Sequence, residues 1–324
     1  MNNKFEPNNQ SKVVFFGGDD MGRSTLEYLL SKNYQILMVT TLTDNYSPFG
    51  PSALATAQEN NLEIIYSKKP RTDLALIQRL KEFVASVAIL ISFNAIISKE
   101  IIDIFPLGIV NLHPSLLPKY RGPDPITPPI LNGDKTTGLS LMILDEQMDH
   151  GPILAQEEID LDPKITHSQL RQILAERGAI LISNILPEYL AGQIKPEKQD
   201  HEAATFSKKL TREDGKIDWY KSAKEIERKI RAYEVWPETY TQLNGFRVKI
   251  IRVALPSVIP DISVPIGTLI QLQDKIFVSC GPATDKQEGS EWLEIVSVQR
   301  EGKKTLPALD FYNGLALKTS LVFH

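Results

Sequence analysis

Short apolar runs alternate with helical patterns over roughly the first half of this 324-residue chain, and this alternation restricts the fold more than any other feature. An apolar run at 13–16 precedes a Gly-Gly pair, a helical pattern follows through 26–30, and a second apolar run occupies 36–39. Further apolar runs follow at 62–65, 87–91 and 109–112. Near-continuous apolar strands separated by helices predict a parallel sheet that is covered on both faces.

The pattern changes after about residue 206. A basic helix at 222–232 is followed by short alternating runs, which turn signals such as Asn244-Gly245 separate. The runs are 239–243, 248–253, 268–272, 276–279 and 292–298. Five short strands of this kind favour a small barrel of the OB type or a sandwich. We therefore predict a tail without stable structure at 1–11, an α/β domain at 12–205 and a β domain at 206–324.

Composition excludes several classes of protein. The 36 basic and 40 acidic residues give a net charge of −4, and 42% of the residues are hydrophobic, which is typical of a globular protein. Because the chain has one cysteine, Cys280, and five scattered histidines, neither an internal disulfide nor a zinc cluster is expected. The first eleven residues lack the apolar core of a signal peptide, and no apolar run has membrane-spanning length. A cytoplasmic protein without a metal is expected.

A run of basic residues precedes the second domain. Between Lys208 and Arg231 the chain has nine basic and five acidic side chains. Such a run forms either a solvated helix face or a surface that follows a polyanion such as RNA, and the run alone does not decide between them.

The glycines after the first apolar run do not form a dinucleotide site. Gly17-Gly18 is followed by Asp19 and Asp20, the spacing is not G-x-G-x-x-G, and two carboxylates would repel a pyrophosphate. The glycines therefore indicate a tight turn from strand to helix.

Candidate catalytic residues lie at the end of the fifth run. Asn111 and His113 are two residues apart, so they share one face of a strand, which Pro114 ends. An acidic loop that contains Asp149 follows a later strand at 141–144 and can return to the same edge. An amide, an imidazole and a carboxylate together suit acyl transfer, although a satisfied Asn and His of the core explain the spacing equally well.

A longer string of residues carries a resemblance. The front half contains Asn111–Gly122, Pro125-Ile126, Asn132-Gly133-Asp134, Thr137-Gly138 and Met148–Pro152. The rear half contains Ile217-Asp218-Trp219, Ile226–Ala232, Trp236-Pro237 and Gly302-Lys303-Lys304. From about residue 12 to 314 the chain resembles the formyltransferase family that uses 10-formyltetrahydrofolate, and within it the members that formylate methionyl-tRNA.

The resemblance implies a Rossmann-like, doubly wound, mostly parallel catalytic domain and an OB-like tRNA-binding barrel. It implies transfer of a formyl group from 10-formyltetrahydrofolate to the α-amine of initiator methionyl-tRNA, by a monomer that needs no metal, with Asn111, His113 and Asp149 as the catalytic residues. The residues expected to line the folate site are Ser92, Phe93, Asn94, Ser115, Leu116, Leu117, Pro118 and Asp145. Those expected to contact tRNA are Arg121, Lys208, Lys209, Lys224, Arg228, Lys229 and Arg231.

Two departures from the family pattern bear on the acceptor. The loop at 43–51 is short and has no Lys or Arg, whereas relatives that act on tRNA carry a basic, glycine-rich loop there. In addition, Gly18-Asp19-Asp20 replaces the Gly-Thr-Pro turn of the family. The sequence therefore leaves three alternatives open: formylation of a nucleotide-linked amino sugar, hydrolysis of formyltetrahydrofolate, and a non-catalytic RNA-binding protein.

Overall fold

A computed structural model describes residues 12–41, 49–281, 291–315 and 321–324. It divides into two compact units. The first takes in the described residues of Met1–Ile126, Lys135–Leu161 and Ser168–Lys208, and the second takes in those of Thr127–Asp134, Asp162–His167 and Lys209–His324. The predicted tail at 1–11 and most of the loop at 43–51 lie outside the described residues.

The strands are named in chain order. They are β1 Lys12–Phe16, β2 Gln35–Thr40, β3 Glu63–Tyr66, β4 Val87–Leu90, β5 Ile109–His113, β6 Thr136–Ile143, β7 Ile153–Asp160, β8 Tyr240–Leu243, β9 Phe246–Ala254, β10 Leu269–Leu272, β11 Lys275–Cys280, β12 Glu291–Arg300 and β13 Thr305–Pro307.

The α-helices are named in the same way. They are α1 Arg23–Ser31, α2 Ala53–Glu59, α3 Leu74–Phe83, α4 Lys99–Ile102, α5 Thr127–Asn132, α6 His167–Leu190, α7 Ala223–Ala232 and α8 Ala308–Asn313.

The first unit is built on a twisted sheet with the strand order β3-β2-β1-β4-β5-β6-β7. The strands from β3 to β5 are parallel, and their order reverses between β1 and β4. The central strands β1, β4 and β5 are almost entirely buried, which explains their near-continuous apolar sequence. In such sheets ligands bind at the carboxyl ends of the strands beside this reversal, so the predicted parallel architecture places a site there.

At the other end of this sheet, β6 runs antiparallel to β5, and β7 runs antiparallel to β6. His113 of β5 lies opposite Ser140 of β6. The strand predicted at 141–144 is the end of β6, and the sequence analysis missed β7, whose exposed and half-buried residues alternate. The acidic loop consequently leaves the sheet near the start of β5, where the Leu144 amide donates to the Ile109 carbonyl, and not near its end.

Close packing of α6 fixes the position of β5. A Cβ atom added to Gly178 would lie 2.5 Å from Cδ2 of Leu112. A larger residue at this position would displace the Leu112 side chain, so the helix lies directly against the face of β5 that carries Leu112. By strand alternation, Asn111 and His113 face the opposite side of the sheet.

The second unit contains an antiparallel sheet with the order β10-β11-β12-β9-β8, and β13 pairs with β12. Residues 321–324 join its two edges: His324 exchanges backbone hydrogen bonds of 3.0 Å with Gln242 of β8, and the amide of Leu269 in β10 donates to the Leu321 carbonyl. The sheet is thereby closed into a small barrel, as the OB-like prediction requires.

The basic helix α7 packs against this barrel. Ser222 caps its first turn together with Glu225 in a capping box, and Ile226 and Ile230 are buried in the barrel core. One face of α7 is therefore structural, and its charged residues occupy the rest of the helix surface.

Candidate active site

Asn111 and His113 are both buried at the carboxyl end of β5. Asn111 lies opposite Leu90 of β4 and Met142 of β6, which places it in the middle of the sheet. A polar side chain in such a position is costly unless it is bonded or used, so its presence at this edge suits a ligand site.

His113 lies beside Asp149. The Nδ1 atom of His113 is 3.6 Å from Oδ1 of Asp149, and its Nε2 atom is 3.0 Å from the backbone oxygen of Tyr120. Because a carbonyl oxygen only accepts, Nε2 carries a hydrogen and Nδ1 is the position that gains or loses the second proton. The carboxylate therefore faces the ring nitrogen that is not bonded to the Tyr120 carbonyl.

Asp149 reaches this position by a turn of the acidic loop back over the sheet. Its φ of 49° lies in the left-handed region, which Asp tolerates better than most residues. The backbone amide of Gly122 donates to Oδ2 of Asp149 at 2.7 Å. This bond fixes one carboxylate oxygen and leaves the other directed at His113.

Arg121 supports the same loop from the interior. Its side chain is 4% exposed, and it donates to Oε1 of Gln199 through Nε at 3.1 Å and through Nη2 at 2.6 Å. The Nη2 atom is also 2.9 Å from Nδ1 of His201. Because the guanidinium is enclosed and bonded within the first unit, the predicted contact of Arg121 with tRNA would require it to exchange these bonds.

The residues after β4 that are predicted to line the folate site lie at the protein surface, at the carboxyl edge of the sheet. Ser92 and Asn94 are exposed, and the half-buried ring of Phe93 packs edge-on against Phe16 with 5.4 Å between ring centroids. Ile96 adds an apolar side chain that is 71% exposed. The segment 92–96 thus presents polar and apolar groups to a ligand.

The residues after β5 that are predicted to line the folate site differ in how deeply they are buried. Leu116 and Pro118 are half-buried, whereas Leu117 is buried and its amide donates to Oγ of Ser140 at 3.0 Å. Ser115 has no exposed surface, and its hydroxyl donates to the Lys119 carbonyl at 2.6 Å. Ser115 and Leu117 therefore shape the turn and do not offer their side chains to a ligand.

Asp145 is bonded to a neighbour on its own loop. Its Oδ2 atom lies 2.6 Å from Nδ1 of His150, and the His150 ring stacks on that of His201 with 3.9 Å between centroids. The predicted folate contact of Asp145 therefore has to compete with His150.

The turn after β1 holds an ion cluster that the sequence analysis did not identify. Arg171 of α6 binds Asp19 at 2.7 Å and Asp20 at 2.8 Å. Burial raises the pKa of the Asp19 carboxyl, and the Arg171 charge only partly opposes this effect. The sequence did not reveal this cluster, because Arg171 lies about 150 residues away along the chain.

The predicted basic residues also divide into two groups. Lys208, Lys209 and Lys224 are exposed. The half-buried Arg228, Lys229 and Arg231 have internal acceptors instead. Arg228 donates to the Asn132 carbonyl at 3.1 Å, Lys229 donates to the Lys216 carbonyl at 2.5 Å, and Arg231 pairs with Glu227 at 2.5 Å.

The described part of the chain contains neither a metal-binding cluster nor a membrane-spanning helix. Within it, no three His, Cys, Asp or Glu side chains are grouped so that they would hold a metal ion. Nor does any helix found there have the length and hydropathy needed to cross a bilayer.

Comparison with known families decides the relationship. The model described as "Formyl transferase" matches residues 11–186, which is more than half of the chain. The chain belongs to the formyltransferase family. A second model, "Formyl transferase, C-terminal domain", matches residues 209–316 of this formyltransferase. The resemblance seen in the sequence is confirmed.

Curated relatives match almost the whole chain. A methionyl-tRNA formyltransferase of Roseiflexus sp. (strain RS-1) is 39% identical over 94% of this chain and 93% of its own length. Proteins of the same name from Acidobacterium capsulatum and Fusobacterium nucleatum are 35% and 33% identical, over 94% and 95% of this chain and 97% and 98% of their own lengths.

Solved structures share the fold at lower identity. An N-formyltransferase from Helicobacter canadensis, in complex with folinic acid and dTDP-3-aminofucose, has a TM-score of 0.67 and 19% identity, covering 90% of this chain and 99% of its own. The sugar 3N-formyl transferase WlaRD has a TM-score of 0.65 and 20% identity, covering 90% and 98%. These neighbours support the architecture of this formyltransferase and carry no argument about its acceptor.

Proposed function

We propose that this formyltransferase transfers the formyl group of 10-formyltetrahydrofolate to the free α-amine of initiator methionyl-tRNA. The observation that carries the choice of acceptor is the match of relatives named methionyl-tRNA formyltransferase across both halves of the chain, at 33–39% identity. The described sugar formyltransferases are near 20% identical.

The first requirement of this reaction is a neutral amine. A model α-amino group has a pKa of about 7.7, so a large share of it is already neutral near pH 7.5. Attack on the formyl carbon forms a tetrahedral species with negative charge on the formyl oxygen. The enzyme therefore has to stabilise this charge more than it has to activate the nucleophile.

In our proposal the Asn111 amide donates to the formyl oxygen, and His113 supplies the proton that the leaving group needs. Both are buried side chains on one face of β5, and each hydrogen-bond donor at a developing oxyanion contributes about 3 kcal/mol in comparable enzymes. Oδ1 of Asp149, 3.6 Å from Nδ1 of His113, places a carboxylate beside that nitrogen. When the tetrahedral species collapses, the bond from carbon to the folate nitrogen breaks and the Nδ1 proton passes to that nitrogen. The proton that the attacking amine loses restores the one on Nδ1, so the ring ends in its original state.

The folate site is proposed at the same edge of the sheet. The exposed Ile96 and the half-buried Phe93, Leu116 and Pro118 offer apolar surface for a flat heteroaromatic ring, and the exposed Ser92 and Asn94 offer hydrogen bonds. A folate-type co-substrate fits this mixture of apolar and polar groups. Ser115 and Leu117 act indirectly in this proposal, by shaping the turn that carries Leu116.

We propose tRNA contacts at the exposed Lys208 of the first unit and, separately, at the exposed Lys209 and Lys224 of the second unit. Arg228, Lys229 and Arg231 reach a phosphate only if they exchange an internal bond for it. In the same proposal, residues 12–205 form the catalytic domain and 206–324 the tRNA-binding domain. In this proposal the enzyme is a monomer. It is also cytoplasmic, because charged initiator tRNA is used where translation takes place.

An acceptor panel tests the proposal. The enzyme is mixed with 10-formyltetrahydrofolate carrying a labelled formyl group and with charged initiator tRNA, a nucleotide-linked amino sugar, or no acceptor. We expect label on the amino acid of the tRNA and little release of formate without an acceptor. Label on the sugar would replace the proposed acceptor, and equal formate release in all three mixtures would identify a hydrolase.

A further inference from the structure

A segment of the first unit crosses the two loops that form the candidate active site, and we name residues 197–207 the strap. At one end, Glu197 exchanges backbone hydrogen bonds with Ile153 at 2.7 and 2.8 Å. At the other end, the Ser207 amide donates to the Arg121 carbonyl at 2.7 Å. The strap is therefore bonded to the end of the Asp149 loop and to the segment that contains Gly122.

The side chain of Gln199 lies in the middle of the strap and is buried. Its Nε2 atom donates to the backbone oxygens of Asp149 at 3.0 Å and of Gly151 at 2.7 Å. Its Oε1 atom accepts the two bonds from Arg121. One amide group thus holds the chain at Asp149 and again two residues later.

Arg121 determines which way this amide points. A guanidinium only donates, so the oxygen of Gln199 has to face Arg121 and the NH2 group has to face the two carbonyls. His201, in the same strap, accepts from Arg121 through Nδ1 at 2.9 Å and stacks on His150 of the Asp149 loop. The orientation of Gln199 is therefore fixed by a buried group that cannot reverse its role.

We propose that Gln199, oriented by Arg121, is a positioning residue that holds the backbone around Asp149 so that its carboxylate faces His113. The left-handed φ of Asp149 is uncommon for a residue other than glycine and has to be maintained by its surroundings. The Gly122 amide holds one carboxylate oxygen, and Gln199 holds the adjacent main chain. Loss of either bond lets the carboxylate move away from Nδ1.

The matched test replaces Gln199 by glutamate. Gln199→Glu keeps the length of the side chain and the acceptor for Arg121, but places an oxygen against the two carbonyls. This inference rests on the proposed function for its kinetic readout. We expect kcat for formylation of methionyl-tRNA to fall about 10- to 100-fold, because small displacements of a catalytic group cost that much, while KM for both substrates changes less than about 3-fold.

Two further variants make the result specific. Arg121→Lys places one ammonium nitrogen where two guanidinium nitrogens now donate, so it weakens the hold on the Gln199 oxygen without adding a charge, and we expect a smaller fall in kcat. Lys198→Gln changes an exposed residue of the same strap and should leave kcat within about 2-fold of the original enzyme. If Gln199→Glu does not fold, Arg121→Lys decides by the same readouts.

The final readout does not depend on activity. Ring resonances of His113, assigned by comparison with His113→Ala, are recorded by NMR for each variant and for Asp149→Asn. We expect Gln199→Glu and Arg121→Lys to move these resonances towards their positions in Asp149→Asn, and Lys198→Gln to leave them in place. An enzyme that formylates no tRNA but shows these shifts would refute the proposed function alone. Folded Gln199→Glu with unshifted His113 resonances and unchanged kcat would refute the role of Gln199.

Discussion

Replacing Asp149 by asparagine removes the negative charge beside His113 and leaves the shape of the side chain unchanged. The Gly122 amide now donates to Oδ2 of Asp149 at 2.7 Å, and the side-chain oxygen of asparagine can accept the same bond. The bond from Nε2 of His113 to the Tyr120 carbonyl is also retained. The substitution therefore tests the charge and not the folding of the loop.

The expected effect follows from the separation of the two groups. Opposite unit charges 3.6 Å apart at an effective dielectric constant of about 20 attract each other by about 4.6 kcal/mol. The carboxylate is 13% exposed, so solvent already screens part of this attraction, and the loss on its removal is about 3 kcal/mol. Since 1.4 kcal/mol corresponds to a tenfold change in rate, kcat should fall at least about 100-fold.

The assay measures kcat and KM for both substrates with charged initiator tRNA. We expect the loss in kcat, with little change in folate affinity, and a similar loss for His113→Ala. Glu146→Gln is the matched control, because it removes the same charge from an exposed position of the same loop. Near-original turnover in Asp149→Asn, or an equal loss in Glu146→Gln, would refute the assigned role.

Three further predictions concern other parts of the chain. Replacing Lys209 and Lys224 by glutamate should weaken tRNA binding and lower the slope of log affinity against log salt concentration by about 1.8. Lys68→Glu is the control and should leave binding unchanged. Unchanged binding in the double variant would show that Lys209 and Lys224 are only solvated. Burial raises the pKa of the Cys280 thiol to about 12, so Ellman's reagent should label it at pH 8 only after unfolding; rapid labelling of the folded protein would contradict this. Grafting a basic loop into 43–51 should raise the ratio of kcat/KM for initiator over elongator methionyl-tRNA, while folate affinity, the control, stays unchanged. If the original enzyme already has the ratio of its long-loop relatives, another element reads the acceptor stem.

The position of Asn111 and His113 was predictable because the strand period and Pro114 are local properties of the sequence. The direction of β6 was not, since a run of alternating residues has the same pattern in either direction. That direction makes the Asp149 loop start far from the end of β5 and fold back. The sequence therefore predicted the partner of His113 through the family resemblance and not through topology.

Residue type alone does not reveal the bonding partners of a charged side chain. Arg121 stands in the string of residues that carries the resemblance, yet its bonding partners Gln199 and His201 are about eighty residues away. A single glutamine in a loop has no pattern that marks it as a clamp. The closure of the barrel by residues 321–324 was missed for a similar reason, because the segment is too short to show a strand period.

The stoichiometry of the products tests the central claim most directly. In a rapid-quench experiment with enzyme in excess over 10-formyltetrahydrofolate and charged initiator tRNA present, tetrahydrofolate and formylmethionyl-tRNA are counted at each time point. The account predicts one formylmethionyl-tRNA for each tetrahydrofolate, appearing at the same rate, and almost no tetrahydrofolate without the acceptor. Tetrahydrofolate that forms at the same rate without tRNA, or without formyl label on the tRNA, would contradict it.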